Sequence, residues 1–592
     1  MNNHIITTGQ KKLFPAILFI AILALTPHEA KAEEKQMKLL AVSQDPDNPE
    51  GVTADLYLET EPGSGRIFMD TFPLTKLDTQ MSTRFANSIA CDFVEEPCTG
   101  TDFFYTIRSN SVIVGGPSAG GALSVLSVAA IEDLEISEDM AITGTINSGG
   151  LIGPVGGLKK KIEAASEAGL AKVLIPQGER YVNVDNETID LYSYGQELKV
   201  EVIEVATIDD ALYEFTGRRL REPAGEITIA EKYQSTMENI AKELCSRADM
   251  LKKQAAEAEL NVTEEIINLS VRADKALEEG LHYTAASYCF GANIQYSYLS
   301  LLDEDPEDDE LKDMVAGYQR RILQLKKDFT GVRFESLSDL EAYEVVMERL
   351  IEAEDHLKDA VESLRENNTR DAIYSLSYGM ERYNSAVSWS SFFGQESGEI
   401  ELSEEDIQES CISKLAEAEE RYQYLQLYMP MRLQETAREL ELAYEDKRQG
   451  RYVLCLFKAS KAKADANVVL GAMGITEGQL QDYIDNKIWL AGQEIARQQE
   501  KGHFPVLGYS YYEYAGSLQE SDPYSALVYA EYALELSNLE MYFKSQRPGF
   551  SIDYGFIYAF TLGSLFGGLL ALFLVGTYMK KKHIQIKVRR KR

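Results

Sequence analysis

Ser118 and Lys161 have the side chains and the sequence surroundings needed for nucleophilic catalysis. Ser118 follows an apolar run and a Gly-Pro turn and precedes the small-residue helix pattern ALSVLSVAAI. A serine at such a helix start faces unpaired backbone N–H groups, which suit a developing oxyanion. Lys161 falls on the apolar stripe of a predicted helix, together with Leu158 and Ile162. Because burial disfavours the charged form of lysine, this position indicates a general base.

Histidine is absent from the segment that holds this pair. The six histidines lie outside residues 33–222 and are His4, His28, His282, His356, His503 and His583. A Ser-His-Asp triad, a Cys-His pair and a histidine-based zinc site are therefore excluded within that segment. A Ser-Lys dyad remains. It requires the lysine pKa to fall from ~10.4 toward ~7–8, which costs roughly 4 kcal/mol.

Three motifs around the pair resemble the proteolytic domain of the Lon family of Ser-Lys peptidases. They are GPSAG around Ser118, MAITGTINSGG from Met140, and PVGGLKKK ending at Lys161. They occur in the family's order and spacing, and the resemblance extends over residues 38–217. It implies an α+β proteolytic fold for this part of the chain.

The resemblance also implies a role for each matching residue. Ser118 would be the nucleophile and Lys161 the general base, and Thr143 would orient the lysine by a hydrogen bond. The loop around the serine would contact the oxyanion and the substrate through Gly116, Pro117, Ala119 and Gly120. These positions form the predicted catalytic site.

The sequence departs from the family pattern at two positions. Gly115 stands where an acidic residue is often found, and Thr145 stands where a glutamate is common. Neither change removes the dyad. The alternative interpretation is a non-catalytic surface scaffold in which the proteolytic domain survives as a binding module.

Residues 33–222 are predicted to form the α+β domain. Short β-like runs alternate with Pro/Gly turns, a helix is predicted over residues 78–90, and a polar connector at 218–226 marks the boundary. Cys91 and Cys98 bracket a small acidic loop and form a candidate disulfide if the chain is exported.

Residues 223–553 are predicted to be all-α and to form helical hairpins. Polar turns lead into four tyrosines, each predicted to open the second helix of a hairpin and to pack on its partner helix: Tyr283, Tyr374, Tyr452 and Tyr524. Their irregular spacing argues against a strict repeat.

The remaining four cysteines form two pairs with the same separation. Cys245 and Cys289 are 44 residues apart, as are Cys411 and Cys455. Each pair is predicted to join the two helices of a hairpin by a disulfide, and buried free cysteines are the alternative.

The two ends of the chain predict export and a membrane anchor. Residues 1–32 read as a signal peptide, with an uncleaved anchor as the alternative. Residues 554–579 are uncharged and long enough to span a bilayer, and the tail 580–592 carries eight basic residues. The positive-inside rule therefore predicts a single-pass type I protein with its main body outside the cytoplasm.

The sequence thus predicts a membrane-anchored, outward-facing serine endopeptidase that acts on unfolded or flexible protein segments. The pattern GxxxxGK[ST] is absent, so ATP-independent action is expected. No cofactor and no metal are predicted. The net charge of −36 argues against nucleic acid as a partner of the main body. Whether the protein forms a homo-oligomer stays open.

Overall fold

The computed structural model describes most of the chain as two compact units. One comprises the residues up to Phe543 and the other those from Lys544 onward. The predicted signal peptide, residues 1–32, lies outside the described residues. The described ranges are 34–43, 50–72, 77–94, 98–109, 117–147, 150–184, 187–221, 224–394, 402–428, 433–472, 480–543 and 554–589.

Eleven strands lie in the described part of the N-terminal region. They are β1 Lys35–Val42, β2 Gly51–Pro62, β3 Ile67–Phe72, β4 Thr101–Ser109, β5 Met140–Ile142, β6 Thr145–Asn147, β7 Leu151–Gly153, β8 Lys172–Pro176, β9 Tyr181–Val184, β10 Glu187–Asp190 and β11 Glu201–Val205. Seven of them form a mixed sheet in the order β11-β8-β5-β1-β2-β4-β3. The other four form the antiparallel hairpins β6–β7 and β9–β10.

Five helices accompany the sheet: α1 Leu77–Phe93, α2 Gly120–Ile131, α3 Leu158–Glu167, α4 Leu191–Glu197 and α5 Ile208–Thr216. The side chains of strand β1 show why these helices cover both faces of the sheet. Its neighbours Leu39 and Leu40 point to opposite sides of the sheet. Leu39 joins the core that contains α1, α2 and α5, whereas Leu40 joins the core beneath α3. The serine turn and the lysine helix therefore lie on opposite faces.

The described residues from 224 to 543 contain twelve helices. They are α6 Glu231–Glu257, α7 Glu264–Glu278, α8 His282–Glu304, α9 Asp308–Asp328, α10 Leu337–Arg365, α11 Thr369–Trp389, α12 Glu404–Tyr428, α13 Gln434–Arg448, α14 Tyr452–Ala472, α15 Leu480–Glu500, α16 Val506–Leu518 and α17 Pro523–Ser537. Successive sets of three pack together, beginning at α6, α9, α12 and α15. An α/β region followed by a mostly helical remainder confirms the predicted fold class.

Three disulfides occur in the structure. Cys91 and Cys98 are joined with their Cα atoms 5.9 Å apart. Cys245–Cys289 joins α6 to α8 and Cys411–Cys455 joins α12 to α14, at Cα separations of 5.0 and 5.6 Å. The predicted link between consecutive helices of a hairpin is wrong, because a third helix lies between each bonded pair along the chain. The first and third helices of these units pack directly against each other and bring the cysteines together.

The four tyrosines lie near the starts of α8, α11, α14 and α17, but their environments differ. Tyr283 packs edge-on against Trp389 and Tyr511. Tyr374 is 39% exposed and Tyr524 is 64% exposed. The prediction that each tyrosine packs on its partner helix is wrong for Tyr524. At the first turn of α17 most of its surface faces solvent.

The last described helix, α18, spans Tyr554–Arg589. Within it, Thr561–Lys580 has a mean hydropathy of 1.8 and is long and apolar enough to cross a membrane. Among the described residues it is the one helix with this property. The described part of the chain thus contains a single candidate membrane span.

Candidate active site

Ser118 lies in a short 3-10 turn, Pro117–Ala119, that leads directly into α2. Its side chain is half-buried, whereas Pro117 and Gly120 are buried. Its carbonyl oxygen accepts a hydrogen bond from the backbone N–H of Gly144 at 3.1 Å. The turn is thus tied to the segment between β5 and β6, and the hydroxyl stands at the N-terminal end of a helix.

Thr143 occupies that segment between β5 and β6 and is 1% exposed. Its backbone N–H donates to the carbonyl of Leu174 on β8 at 3.0 Å, which fixes the residue at the sheet. Its hydroxyl donates to the carbonyl oxygen of Ser118 at 3.5 Å. The next residue, Gly144, has to be glycine because a Cβ at this position would lie 2.4 Å from the side chain of Ile152. The close approach of the β6–β7 hairpin therefore requires glycine at position 144.

Lys161 projects from the buried face of α3 and is 2% exposed. The residue that caps the start of the helix is Gly157, whose φ of +74° and close approach to Val42 suit glycine alone. Burial lowers the pKa of Lys161 to about 7, and the charge of Glu179 opposes this shift. A substantial fraction of Lys161 is then neutral near pH 7 and able to accept a proton.

Thr143 connects the lysine to the serine turn. The amine of Lys161 donates to the Thr143 hydroxyl at 2.9 Å, and Thr143 in turn donates to the Ser118 carbonyl. Within the described part of the chain, no hydrogen bond joins the Ser118 hydroxyl directly to Lys161. Catalytic hydrogen bonds are often long in the absence of substrate and tighten when it binds. The three residues thus form a connected group in which Thr143 bridges the Lys161 amine and the backbone of the serine turn.

Glu179 is an acidic neighbour of the site that the sequence reasoning missed. It follows β8, and its carboxylate accepts the backbone N–H of Val155 at 3.3 Å, just before α3. Burial raises the pKa of Glu179, while the positive charges of Lys161 and Lys487 act in the opposite sense. The signal available in the sequence was an acidic residue shortly after β8, the strand that follows the lysine helix.

The helical region also reaches the site, which no local pattern had indicated. Arg421 on α12 donates to the side-chain oxygen of Asn147 at 3.0 Å. Tyr424, one turn later, accepts the backbone N–H of Gly156 at 3.0 Å, next to the start of α3. Helix α12 therefore contacts both the β6–β7 hairpin and the segment that precedes the lysine helix.

The remaining residues of the predicted catalytic site are those of the loop around Ser118. Pro117, Ala119 and Gly120 lie in or beside the serine turn, whereas Gly116 lies outside the described residues. Among the residues that the structure describes, no group of three or more His, Cys, Asp or Glu side chains is placed to hold a metal.

Replacing Thr143 by valine is expected to lower kcat by roughly 10- to 100-fold, because the isosteric side chain cannot accept the lysine hydrogen bond and a small misplacement of reacting groups is costly. Thr143→Ser retains the hydroxyl and should keep most of the activity. Steady-state hydrolysis of an unfolded protein substrate measures both variants. Equal rates for the valine and serine variants would contradict the orienting role.

Comparison with known proteins agrees with the resemblance seen in the sequence. Residues 93–214 match the family model described as the Lon protease (S16) C-terminal proteolytic domain. A Lon protease of Clostridium beijerinckii is 37% identical over 118 residues, which are 20% of this chain and 14% of that protein. An archaeal Lon protease of Archaeoglobus fulgidus is 38% identical over 99 residues, or 17% of this chain and 15% of that protein.

A Lon protease of Fervidobacterium nodosum is 28% identical over 183 residues, or 29% of this chain and 22% of that protein. The chain therefore spans less than a quarter of the length of each of these relatives. The similarity falls on the α/β region, and it supports a serine protease of the Lon type there.

Proposed function

We propose that this protein is a serine endopeptidase in which Ser118 is the nucleophile and Lys161 the general base. The observation that carries the proposal is the buried lysine amine, 2% exposed and held 2.9 Å from the Thr143 hydroxyl beside the serine turn. Burial lowers its pKa to about 7, so a substantial fraction of the amine is neutral and able to accept a proton at neutral pH. The similarity of residues 93–214 to Lon proteolytic domains points to the same chemistry.

In the proposed reaction, neutral Lys161 removes the proton from the Ser118 hydroxyl as its oxygen attacks the scissile carbonyl carbon. The carbonyl oxygen becomes an oxyanion, which backbone N–H groups near the start of α2 are placed to stabilise. The resulting ammonium returns the proton to the leaving amine as the C–N bond breaks. Water then attacks the acyl-enzyme with the same lysine as base, restoring the serine.

We infer that the substrates are unfolded or flexible protein segments and that ATP is not used. A peptidase cleft takes an extended backbone, and opening a folded domain costs about 5–15 kcal/mol. The sequence contains no phosphate-binding loop that could couple ATP to this step. Segments that are already open are thus the accessible substrates.

The candidate span Thr561–Lys580 and the basic residues after it support a single-pass membrane protein. Together with the signal-like residues 1–32, they support a location of the proteolytic domain outside the cytoplasm. An exported location also suits three disulfides.

The function is tested by incubating the purified full-length protein, in detergent, with a disordered protein and a fluorophosphonate. We expect the protein to hydrolyse the substrate and to lose this activity as one equivalent of the fluorophosphonate attaches. The added mass should lie on the peptide that contains Ser118. Absence of hydrolysis, or labelling of another residue, would favour the non-catalytic scaffold.

The topology gives a separate expected result. A soluble protease added to intact cells should remove the main body of the protein and spare an epitope tag placed after Arg592, because the basic tail is retained inside. Immunoblotting of the tag measures this, and permeabilised cells, in which the tag is digested, are the control. Loss of the tag from sealed cells would reverse the orientation.

A further inference from the structure

We propose that Arg421, on helix α12 of the helical region, is a positioning residue for the Ser118 turn. The inference rests on the proposed peptidase function and adds to it a role for a part of the chain outside the matched proteolytic region. Arg421 does not touch the reacting atoms. It holds strand β6, and β6 supports the turn that carries the nucleophile.

The first contact joins α12 to the hairpin. The Nη2 atom of Arg421 donates to the Asn147 side-chain oxygen at 3.0 Å and lies 3.5 Å from the carbonyl oxygen of Ile146. Both hydrogen bonds are buried. A charged donor in a buried environment makes a stronger hydrogen bond than a neutral one, so these bonds fix the position of β6.

The second contact joins β6 to the serine turn. A Cβ on Gly120 would lie 2.9 Å from the backbone nitrogen of Ile146, so the two backbones touch without an intervening side chain. Gly144, directly before β6, donates its N–H to the Ser118 carbonyl and accepts the N–H of Gly121 at 2.9 Å. Such close packing transmits a displacement of β6 to the turn, because there is no gap to absorb it.

The environment of Arg421 supports a specific role. The side chain is 4% exposed and lies among buried charged residues: Glu417, Glu420, Lys463 and Glu535. Glu417 and Lys463 pair with each other at 2.9 Å, and Glu535 pairs with Lys414. The Nη2 atom of Arg421 donates both of its hydrogen bonds to the hairpin.

A small cavity connects the same guanidinium to the serine turn. Arg421, Pro117 and Ile146 all line it, and its volume is about 10 Å³, close to the space of one water molecule. Pro117 is the residue immediately before Ser118. The Nη1 atom of Arg421 is buried and has no hydrogen-bond partner among the described residues. The guanidinium therefore borders the catalytic turn as well as the strand beneath it.

The test compares Arg421→Gln with Arg421→Lys and with Arg247→Gln in the full-length protein. Arg247 pairs with buried Glu381 at 2.7 Å inside the helical region and serves as the matched control. We expect Arg421→Gln to lower both kcat and the rate of fluorophosphonate labelling at Ser118 by about tenfold or more, with KM changed less than about threefold. Arg421→Lys should recover part of the loss.

The control separates positioning from general destabilisation. Arg247→Gln should lower the melting temperature while leaving kcat and the labelling rate within about twofold of wild type. A labelling rate for Arg421→Gln within that range, or an equal loss of rate in Arg247→Gln, would overturn the inference.

A second variant covers the case in which Arg421→Gln fails to fold. Asn147→Ala removes the main acceptor and leaves α12 unchanged, and it should lower kcat in the same way. Combined with Arg421→Lys, its effect should be less than additive, since both act through one contact. Additive losses would overturn the inference.

Ser118→Ala separates a failure of the proposed peptidase function from a failure of the positioning role. Residual hydrolysis by Ser118→Ala would contradict the peptidase mechanism. An inactive Ser118→Ala together with a fully active Arg421→Gln would contradict only the positioning role of Arg421.

Discussion

Ser118→Ala and Lys161→Ala are each expected to lower kcat by at least about 1,000-fold on an unfolded protein substrate. Alanine at 118 removes the attacking oxygen, and alanine at 161 removes the group that takes its proton. Active-site residues that work as a unit are not additive, so the double variant should be no slower than either single variant. Activity of Lys161→Ala within tenfold of wild type would reject the assignment of the base.

The rate should depend on pH in the direction set by the lysine. The base acts only when neutral, and burial lowers the pKa of Lys161 to about 7. We therefore expect kcat/KM to rise as the pH increases through about 7 and to level off above it. Burial also raises the pKa of Glu179 to about 8, so its carboxyl is largely protonated at that midpoint, and Glu179→Gln should move the midpoint little.

The same pKa predicts a stability effect that excludes unfolding as the cause of lost activity. The unfolded chain keeps Lys161 protonated up to about pH 10.5, whereas the folded chain does so only to about pH 7. Between these values the unfolded state binds more protons, so the contribution of this group to stability increases as the pH rises. Lys161→Met should therefore be inactive and yet at least as stable as wild type at pH 7, as measured by thermal unfolding.

The second large effect concerns the stability of the substrate. If cleavage requires a segment that is already open, its rate follows the population of the open form when opening is fast and rare. Destabilising a small model domain by about 1.4 kcal/mol should raise its cleavage rate about tenfold. A series of variants that spans about 4 kcal/mol should span nearly 1,000-fold in rate.

The experiment incubates the purified protein with such a series, with and without ATP and magnesium, and follows the intact substrate by gel. We expect nucleotide to change nothing, since the sequence contains no GxxxxGK[ST] pattern. A permanently unfolded substrate provides the upper limit of the rate. Rapid cleavage of the most stable variant, or a requirement for ATP, would indicate an unfolding activity that the sequence did not predict.

Local patterns in the sequence were sufficient for several conclusions. The small-residue pattern after Ser118 predicted helix α2, and the apolar stripe that includes Lys161 predicted α3; the structure contains both. The apolar run before the Gly-Pro turn lies outside the described residues. The predicted helix over residues 78–90 corresponds to α1, Leu77–Phe93. Hydrophobic periodicity depends on neighbours one or two turns apart, so one sequence is enough to detect it.

The disulfides of the helical region show what such local patterns cannot predict. An equal spacing of 44 residues predicted the two helical pairs, but not that a third helix lies between the bonded helices in the chain. Spacing records distance along the chain, whereas the bond depends on which helix faces pack together.

The chemistry of the site was determined by the sequence, and its surroundings by the tertiary structure. The absence of histidine around Ser118 and Lys161 left a serine and a lysine as the candidate pair, because residue type alone decides which groups can exchange a proton. The contact of Arg421 with Asn147 spans 274 residues, and the pKa of Lys161 depends on complete burial. Both arise only when distant segments pack together, since neither a charged contact nor the exclusion of water is encoded in the order of neighbouring residues.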